Sequence, residues 1–162
     1  MENRAEIAQL EYNRIFREND EIYREIAKMM GMSDSAFWIL YMLREGEGQY
    51  TQSDIRTVLC QPKQTVNTAL KKLEQEGVLE LQPMSDKRSK QVCLTVRGNH
   101  LASRTVDLVF GMERSAMEGL SPREQDTFLK IFRKYTQLLR TNAEKLRSVA
   151  EDDRKHRKLQ RR

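Results

Sequence analysis

Apolar and aromatic residues over 5–30 fall at Ala8, Tyr12, Ile15, Phe16, Ile22, Tyr23, Ile26, Met29 and Met30. Steps of three and four residues place them on one stripe of a helix. Asn19 and Asp20 interrupt the stripe, and a bend or break is expected there. Gly31 supplies a stop and Ser33 a fresh N-cap. Ala36–Leu43 is apolar nearly all round, the pattern of a helix buried on most sides; strand competes, but Leu, Met and the preceding cap favour helix. Gly46 and Gly48 mark a turn. Thr51-Gln52-Ser53-Asp54 then reads as a capping box opening a short helix with Ile55, Val58 and Leu59. Pro62 fits the first position of the next helix, with Val66, Ala69, Leu70 and Leu73 facing inward and Gly77 ending it. About three residues separate these two helices, the spacing of a helix-turn-helix.

The period changes after Gly77. Residues 78–81 and 91–94 read as short strands joined by a long polar loop with a basic tip. Thr95 caps a helix bearing Leu101, Thr105, Leu108, Val109 and Met112 on one side. Ser121-Pro122-Arg123-Glu124 is the clearest helix start, followed by a stripe at Phe128, Ile131, Phe132, Tyr135, Leu138, Leu139, Asn142 and Leu146. From 151 onward the chain carries one apolar residue and is expected to fray. The predicted fold is mainly α with a small β-hairpin wing: a winged helix-turn-helix over 33–98, a dimerisation helix over 1–32, further dimerisation helices over 99–150, and a flexible charged tail over 151–162. The terminal stripes carry more apolar surface than a small winged domain covers, which points to burial by a second copy. Asn142 is either a register-setting polar residue in that seam or a solvated one.

Composition narrows the classes. The 162 residues are 38% hydrophobic and 33% charged, with 29 Lys and Arg against 24 Asp and Glu. Such a chain has long solvated helices or borrows burial from a partner. The longest apolar run, Ala36–Leu43, is far short of the roughly 20 residues that span a bilayer. The mixed-charge N-terminus lacks a signal-peptide core. Cys60 and Cys93 offer neither a disulfide framework nor metal-ligand spacing. A cytoplasmic protein without metal, cofactor or membrane contact is expected. The two histidines, His100 and His156, belong to no catalytic set, and no Gly-rich phosphate loop is present, so an enzyme is not expected.

The excess positive charge is not spread evenly. Residues 61–100 hold seven Lys and Arg against four acids. The 62–76 helix exposes Lys63, Gln64, Asn67, Thr68, Lys71 and Lys72, with its acids, Glu74 and Glu76, at the C-terminal end. Gln and Asn pair with base edges, Thr touches the thymine methyl, and Lys reaches guanine or phosphate. Gln64, Thr65, Asn67, Thr68 and Lys71 are therefore assigned to a DNA major groove, and Lys63, Lys72, Lys87 and Lys90 to phosphate. Arg88 at the hairpin tip suits a narrow minor groove, with Asp86 placed to pair with its guanidinium. A solvated helix face and an ordinary polar turn are the competing assignments.

These residues carry a family likeness. Asp86-Lys87-Arg88-Ser89-Lys90-Gln91-Val92-Cys93-Leu94-Thr95-Val96-Arg97-Gly98 resembles the MarR wing signature D-x-R-x-x-x-V-x-L-T-x-x-G at all six fixed positions. Gln64-Thr65-Val66-Asn67, with Leu70, Leu73, Glu74 and Gly77, resembles that family's recognition helix. The resemblance implies a homodimeric regulator, here expected to be a repressor, whose terminal helices dimerise and whose recognition helices enter successive major grooves of a palindromic double-stranded operator. It also implies Arg88 as the wing arginine, Asp86 as its orienting carboxylate, and a small-molecule effector bound between the dimer and DNA-binding regions. Gln61 departs from the small hydroxyl residue usual before the recognition helix; Gln caps poorly, so Cys60 or water is left to satisfy that end. Tyr12, Phe16, Phe37, Trp38 and Tyr41 are candidate effector-pocket residues, with core packing as the alternative. Cys60 is open to a redox role or to a buried packing role, whereas Cys93 on a strand reads as packing. The family's peroxide sensors use a cysteine near the N-terminus, and none lies there. A winged-helix protein-interaction adaptor that no longer reads DNA is the alternative function.

Overall fold

The structure, a computed structural model, describes residues 3–46, 50–83 and 90–159, with side chains described through residue 151. Its elements run α1 (Arg4–Met29), α2 (Asp34–Glu45), α3 (Gln52–Val58), α4 (Lys63–Gln75), β1 (Leu79–Pro83), β2 (Lys90–Leu94), α5 (Val96–Ser103), α6 (Val106–Glu118) and α7 (Pro122–Leu159). Two compact units result, Met1–Gly111 and Met112–Arg162.

In the first unit, local signals and burial agree. α1 ends in a Schellman turn: Gly31 takes φ +70°, and the Met32 and Gly31 amides donate to the Ala27 and Lys28 carbonyls. α4 ends the same way, with Gly77 at φ +67° and the Val78 and Gly77 amides donating to Leu73 and Glu74. Ser33 Oγ accepts the Ala36 amide at the start of α2. Helix rather than strand is what the apolar run forms, because Phe37, Ile39, Leu40 and Leu43 are all buried on a surface wider than one strand face. Thr51 and Asp54 form a reciprocal capping box on α3. Val66, Ala69, Leu70 and Leu73 of α4 join Phe37, Ile39, Leu40, Ile55 and Val92 in one core. The hairpin is antiparallel, pairing Leu79 with Leu94 and Pro83 with Lys90. Thr51 bridges Gln91, and the Val92 amide donates to the Tyr50 carbonyl at 2.8 Å, adding a short third edge.

Three expectations change here. α1 is unbroken at Asn19–Asp20; Asp20 pairs one turn ahead with Arg24 at 2.5 Å instead of competing for the backbone. Pro62 stands just before α4 instead of at its first position: its ψ of 131° is extended, while its carbonyl accepts the Val66 amide. The single helix expected after Thr95 is two. At the break, the Arg104 and Thr105 amides make tight bonds back to Leu101 and Ala102, and the buried Thr105 hydroxyl donates to the Leu101 carbonyl at 2.7 Å.

Arg44, near the end of α2, makes a two-pronged ion pair with Asp107 of α6, at 2.8 and 2.7 Å, and its third nitrogen reaches Asn99 of α5 at 3.2 Å. The bonded guanidinium holds the Asp107 carboxyl below the usual carboxylate range, as the Thr51 hydroxyl does for Asp54. A carboxyl whose folded pKa is depressed stabilises the fold above its unfolded pKa, about 4, and that contribution disappears as pH falls through the folded value. Asp107→Asn is accordingly expected to lower stability by about 1 kcal/mol at pH 7, allowing for solvent screening of this half-exposed pair. The difference should shrink as the pH is lowered below about 4 in parallel urea titrations; a gap that stays constant down the acid limb contradicts the ion-pair origin.

In the second unit, Ser121 and Glu124 form a second capping box at the start of α7. Along α7, Phe128 and Phe132 stack at 5.9 Å, and Ile131, Leu138, Leu139, Leu146 and Val149 are exposed. The backbone stays helical through Leu159, past the point at which the loss of apolar residues predicts fraying.

Candidate nucleic-acid interface

At 100° per residue, the buried positions of α4 occupy one side, and Gln64, Thr68 and Lys71 fall opposite, with Lys63 and Asn67 on one flank and Thr65 and Lys72 on the other. All seven are exposed. Lys63, Gln64, Asn67, Thr68 and Lys71 line one open surface along the helix. The first turn of α4 carries no acid, and no side chain caps it. Its free amides and partial positive charge therefore suit a phosphate, with Lys63 alongside.

Hydrogen bonds sort the side chains further. The Thr68 hydroxyl donates to the Gln64 carbonyl at 2.9 Å, which leaves its methyl and an oxygen lone pair for an outside partner. Lys72 lies 3.8 Å from Glu76, one turn on, so its charge is partly offset, whereas no ion pair holds Lys63 or Lys71 among the described residues. Arg56 of α3 donates to Asn67 Oδ1 at 3.3 Å, adding a second helix to the surface. Local periodicity does not reveal Arg56; only the packing of α3 on α4 brings it there. Lys90 is exposed at the start of β2. Asp86, Lys87 and Arg88 lie outside the described residues.

Gln61, in the turn between α3 and α4, does not cap α4. Its Nε2 donates to Asp34 Oδ2 at 2.9 Å and its Oε1 accepts from the Ser35 hydroxyl, fastening the turn to the start of α2. Cys60 does not cap α4 either. It takes the left-handed φ of 49°, and its thiol lies 3.7 Å from the Thr57 carbonyl. The residue is exposed, so the buried packing role is not the one it has. Cys93 is half-buried, and burial, with Glu80 nearby, pushes its thiol pKa up.

The family model for MarR matches residues 30–89. Over that stretch the chain is similar to the MarR family. No curated protein sequence matches the chain. Among solved structures, S. aureus MepR in its DNA-binding conformation is 21% identical, with a TM-score of 0.68 over 79% of this chain and 98% of MepR. The Bordetella bronchiseptica regulator BpsR, described in terms of control of its DNA binding by 6-hydroxynicotinic acid, is 20% identical, with a TM-score of 0.58 over 78% of this chain and 98% of its own. Apo MarR from E. coli is 19% identical, with a TM-score of 0.58 over 83% and 98%. At these identities the likeness concerns the fold.

Much of the MarR wing signature is structural in this chain. Val92 is fully buried. Thr95 Oγ1 accepts the Gly98 amide at 3.0 Å as the N-cap of α5 and donates to the Gly77 carbonyl at 2.6 Å. Gly98 is pressed against the Val78 carbonyl, which also accepts the Thr95 amide. The signature residues thus join the base of the hairpin to the end of α4.

The aromatic candidates separate by burial. Phe37 is fully buried, contacting Trp38 edge-on at 5.1 Å and Tyr41 at 6.1 Å; Tyr41 packs on Phe110 at 4.6 Å, and Trp38 on Tyr23 at 5.1 Å. Tyr12 stacks with Phe16 on α1, where Phe16 is exposed. Among the described residues, no group of three or more His, Cys, Asp or Glu side chains is arranged to hold a metal, and no helix is long and apolar enough to cross a membrane.

Proposed function

We propose that this chain is a sequence-specific DNA-binding transcriptional regulator, a ligand-responsive repressor that binds a palindromic operator as a homodimer. The observation that carries it is the outer face of α4: an uncapped, acid-free first turn followed by exposed Gln64, Asn67, Thr68 and Lys71, in a stretch that matches the MarR family model. Gln64, Thr65, Asn67, Thr68 and Lys71 read the major groove, Lys63, Lys72, Lys87 and Lys90 hold phosphates, and Arg88, oriented by Asp86, enters the minor groove.

The exposed apolar residues of α1 (Ile7, Leu10, Ile15, Phe16) and of α7 support the second copy, since water-facing stripes of this length call for a partner. Two recognition helices then sit about 34–36 Å apart to meet successive major grooves. An effector acts by favouring a dimer of different spacing, to the extent that it binds one spacing better than the other. The aromatic residues Tyr12, Phe16, Trp38 and Tyr41 are the side chains proposed to meet it. The described regulation of BpsR by a small aromatic acid supports that class of ligand.

The test is retention of promoter DNA fragments by the full chain across a salt series. Arg88→Ala is expected to weaken operator binding at least tenfold while dimer mass and melting temperature stay unchanged. Unchanged operator affinity refutes the wing assignment, and salt-independent retention refutes a phosphate-contacting surface altogether.

A further inference from the structure

The Arg56–Asn67 contact bears on which base is read, provided that α4 reads DNA as proposed above. A guanidinium has only donors. Whatever partner Arg56 takes on Asn67 must therefore be the amide oxygen, and Oδ1 does lie 3.3 Å from Arg56 Nη1. The Asn67 amide nitrogen is then the end left free, carrying two hydrogens and no acceptor. Among the described residues, neither Arg56 nor Asn67 has another polar partner, so nothing else pulls the amide round.

An unrestrained asparagine reads adenine by offering both ends: its oxygen accepts from N6 and its nitrogen donates to N7. With the oxygen turned to Arg56 and one of its two lone pairs taken, the two-ended match is weakened. Guanine presents N7 and O6, both acceptors, and meets a donor-only probe fully. We propose that Arg56 sets the base preference of Asn67, turning a side chain that would otherwise select adenine into one that selects guanine. Arg56 acts as a positioning residue here, since it works through Asn67. The half-buried guanidinium also adds positive charge that strengthens binding to every sequence alike, and only a preference ratio separates the two effects.

The experiment selects randomised double-stranded DNA on the full-length protein and its variants, then measures affinities for the selected site and its single-base changes. The base pair whose preference Asn67→Ala abolishes is the one Asn67 reads. At that position the wild-type protein is expected to favour guanine over adenine, and Arg56→Met, which keeps the aliphatic stem, is expected to shift the ratio about tenfold toward adenine. Adding Asn67→Ala to Arg56→Met should leave no preference to shift. Melting temperatures of the variants confirm that each is folded. A wild-type preference for adenine, an unchanged ratio in Arg56→Met, or a selected site indifferent to Asn67→Ala each overturns the inference while leaving the protein a DNA reader. Failure of the wild type to enrich any sequence overturns the proposed function itself.

Discussion

Gly98→Ala is expected to lower the unfolding free energy by about 3 kcal/mol, the upper part of the range for forcing a methyl group into packed surroundings. A Cβ built on Gly98 meets the Val78 carbonyl oxygen at 2.1 Å. The obstacle is backbone, so no side chain can rotate out of the way. That carbonyl is also fixed from the other side, because it accepts the Thr95 amide at 3.1 Å. Relief requires α5 to move off the end of α4, which breaks the Thr95 cap and its bond to Gly77. Urea unfolding at fixed protein concentration measures the loss, and a change below 1 kcal/mol contradicts the close approach. Operator binding should fall as well, in conditions where the variant is still folded, because the base of the wing is displaced.

Phe37→Ala is expected to be costlier still, about 4 kcal/mol, within the range for deleting a buried phenyl ring. Phe37 is completely buried beside Ile39, Leu40 and Leu43. Its ring contacts with Trp38 and Tyr41 leave the variant with a cavity that these larger neighbours cannot fill without leaving their own partners, Tyr23 and Phe110. The outcome separates two roles proposed for the aromatic set. A residue that only lines an effector site tolerates truncation in the thermal melt and changes the ligand response; a core residue does the reverse. Retained stability in Phe37→Ala would falsify the core role.

Caps, stops and apolar period made most of the fold legible. Ser33, Thr51, Thr95 and Ser121 all act as N-caps, and Gly31 and Gly77 both take the left-handed conformation at helix ends. These signals are local, since each depends on residues within one turn. The misplacements arise where a local preference loses to something else. Pro62 is suited to a first helical position, yet its neighbour Gln61 is anchored to Asp34 and Ser35, 27 and 26 residues away. Thr105 fits the apolar stripe by spacing, but the Arg104 and Thr105 amides bond back three residues, to Leu101 and Ala102, and the helix divides there. The exposed face of α4 was readable from composition and period, whereas Arg56 was not: its place beside Asn67 depends on how α3 packs, 11 positions away in sequence. Asp86, Lys87 and Arg88 rest on the signature alone.

The hydroxyl of Thr95 makes its bonds to Gly77 and to Gly98 at one point, where α4 ends, the hairpin returns and α5 begins. Helix, ribbon and the following helix therefore share a single hinge-free joint. If α4 and the hairpin meet DNA as proposed, a joint of this kind couples the two, so that a shift of one is carried to the other. On that proposal, changes in target preference belong to individual side chains on the surface of α4, while changes in occupancy belong to how two copies are held apart. A new operator and a new inducer would then evolve on different residues, each without undoing the other.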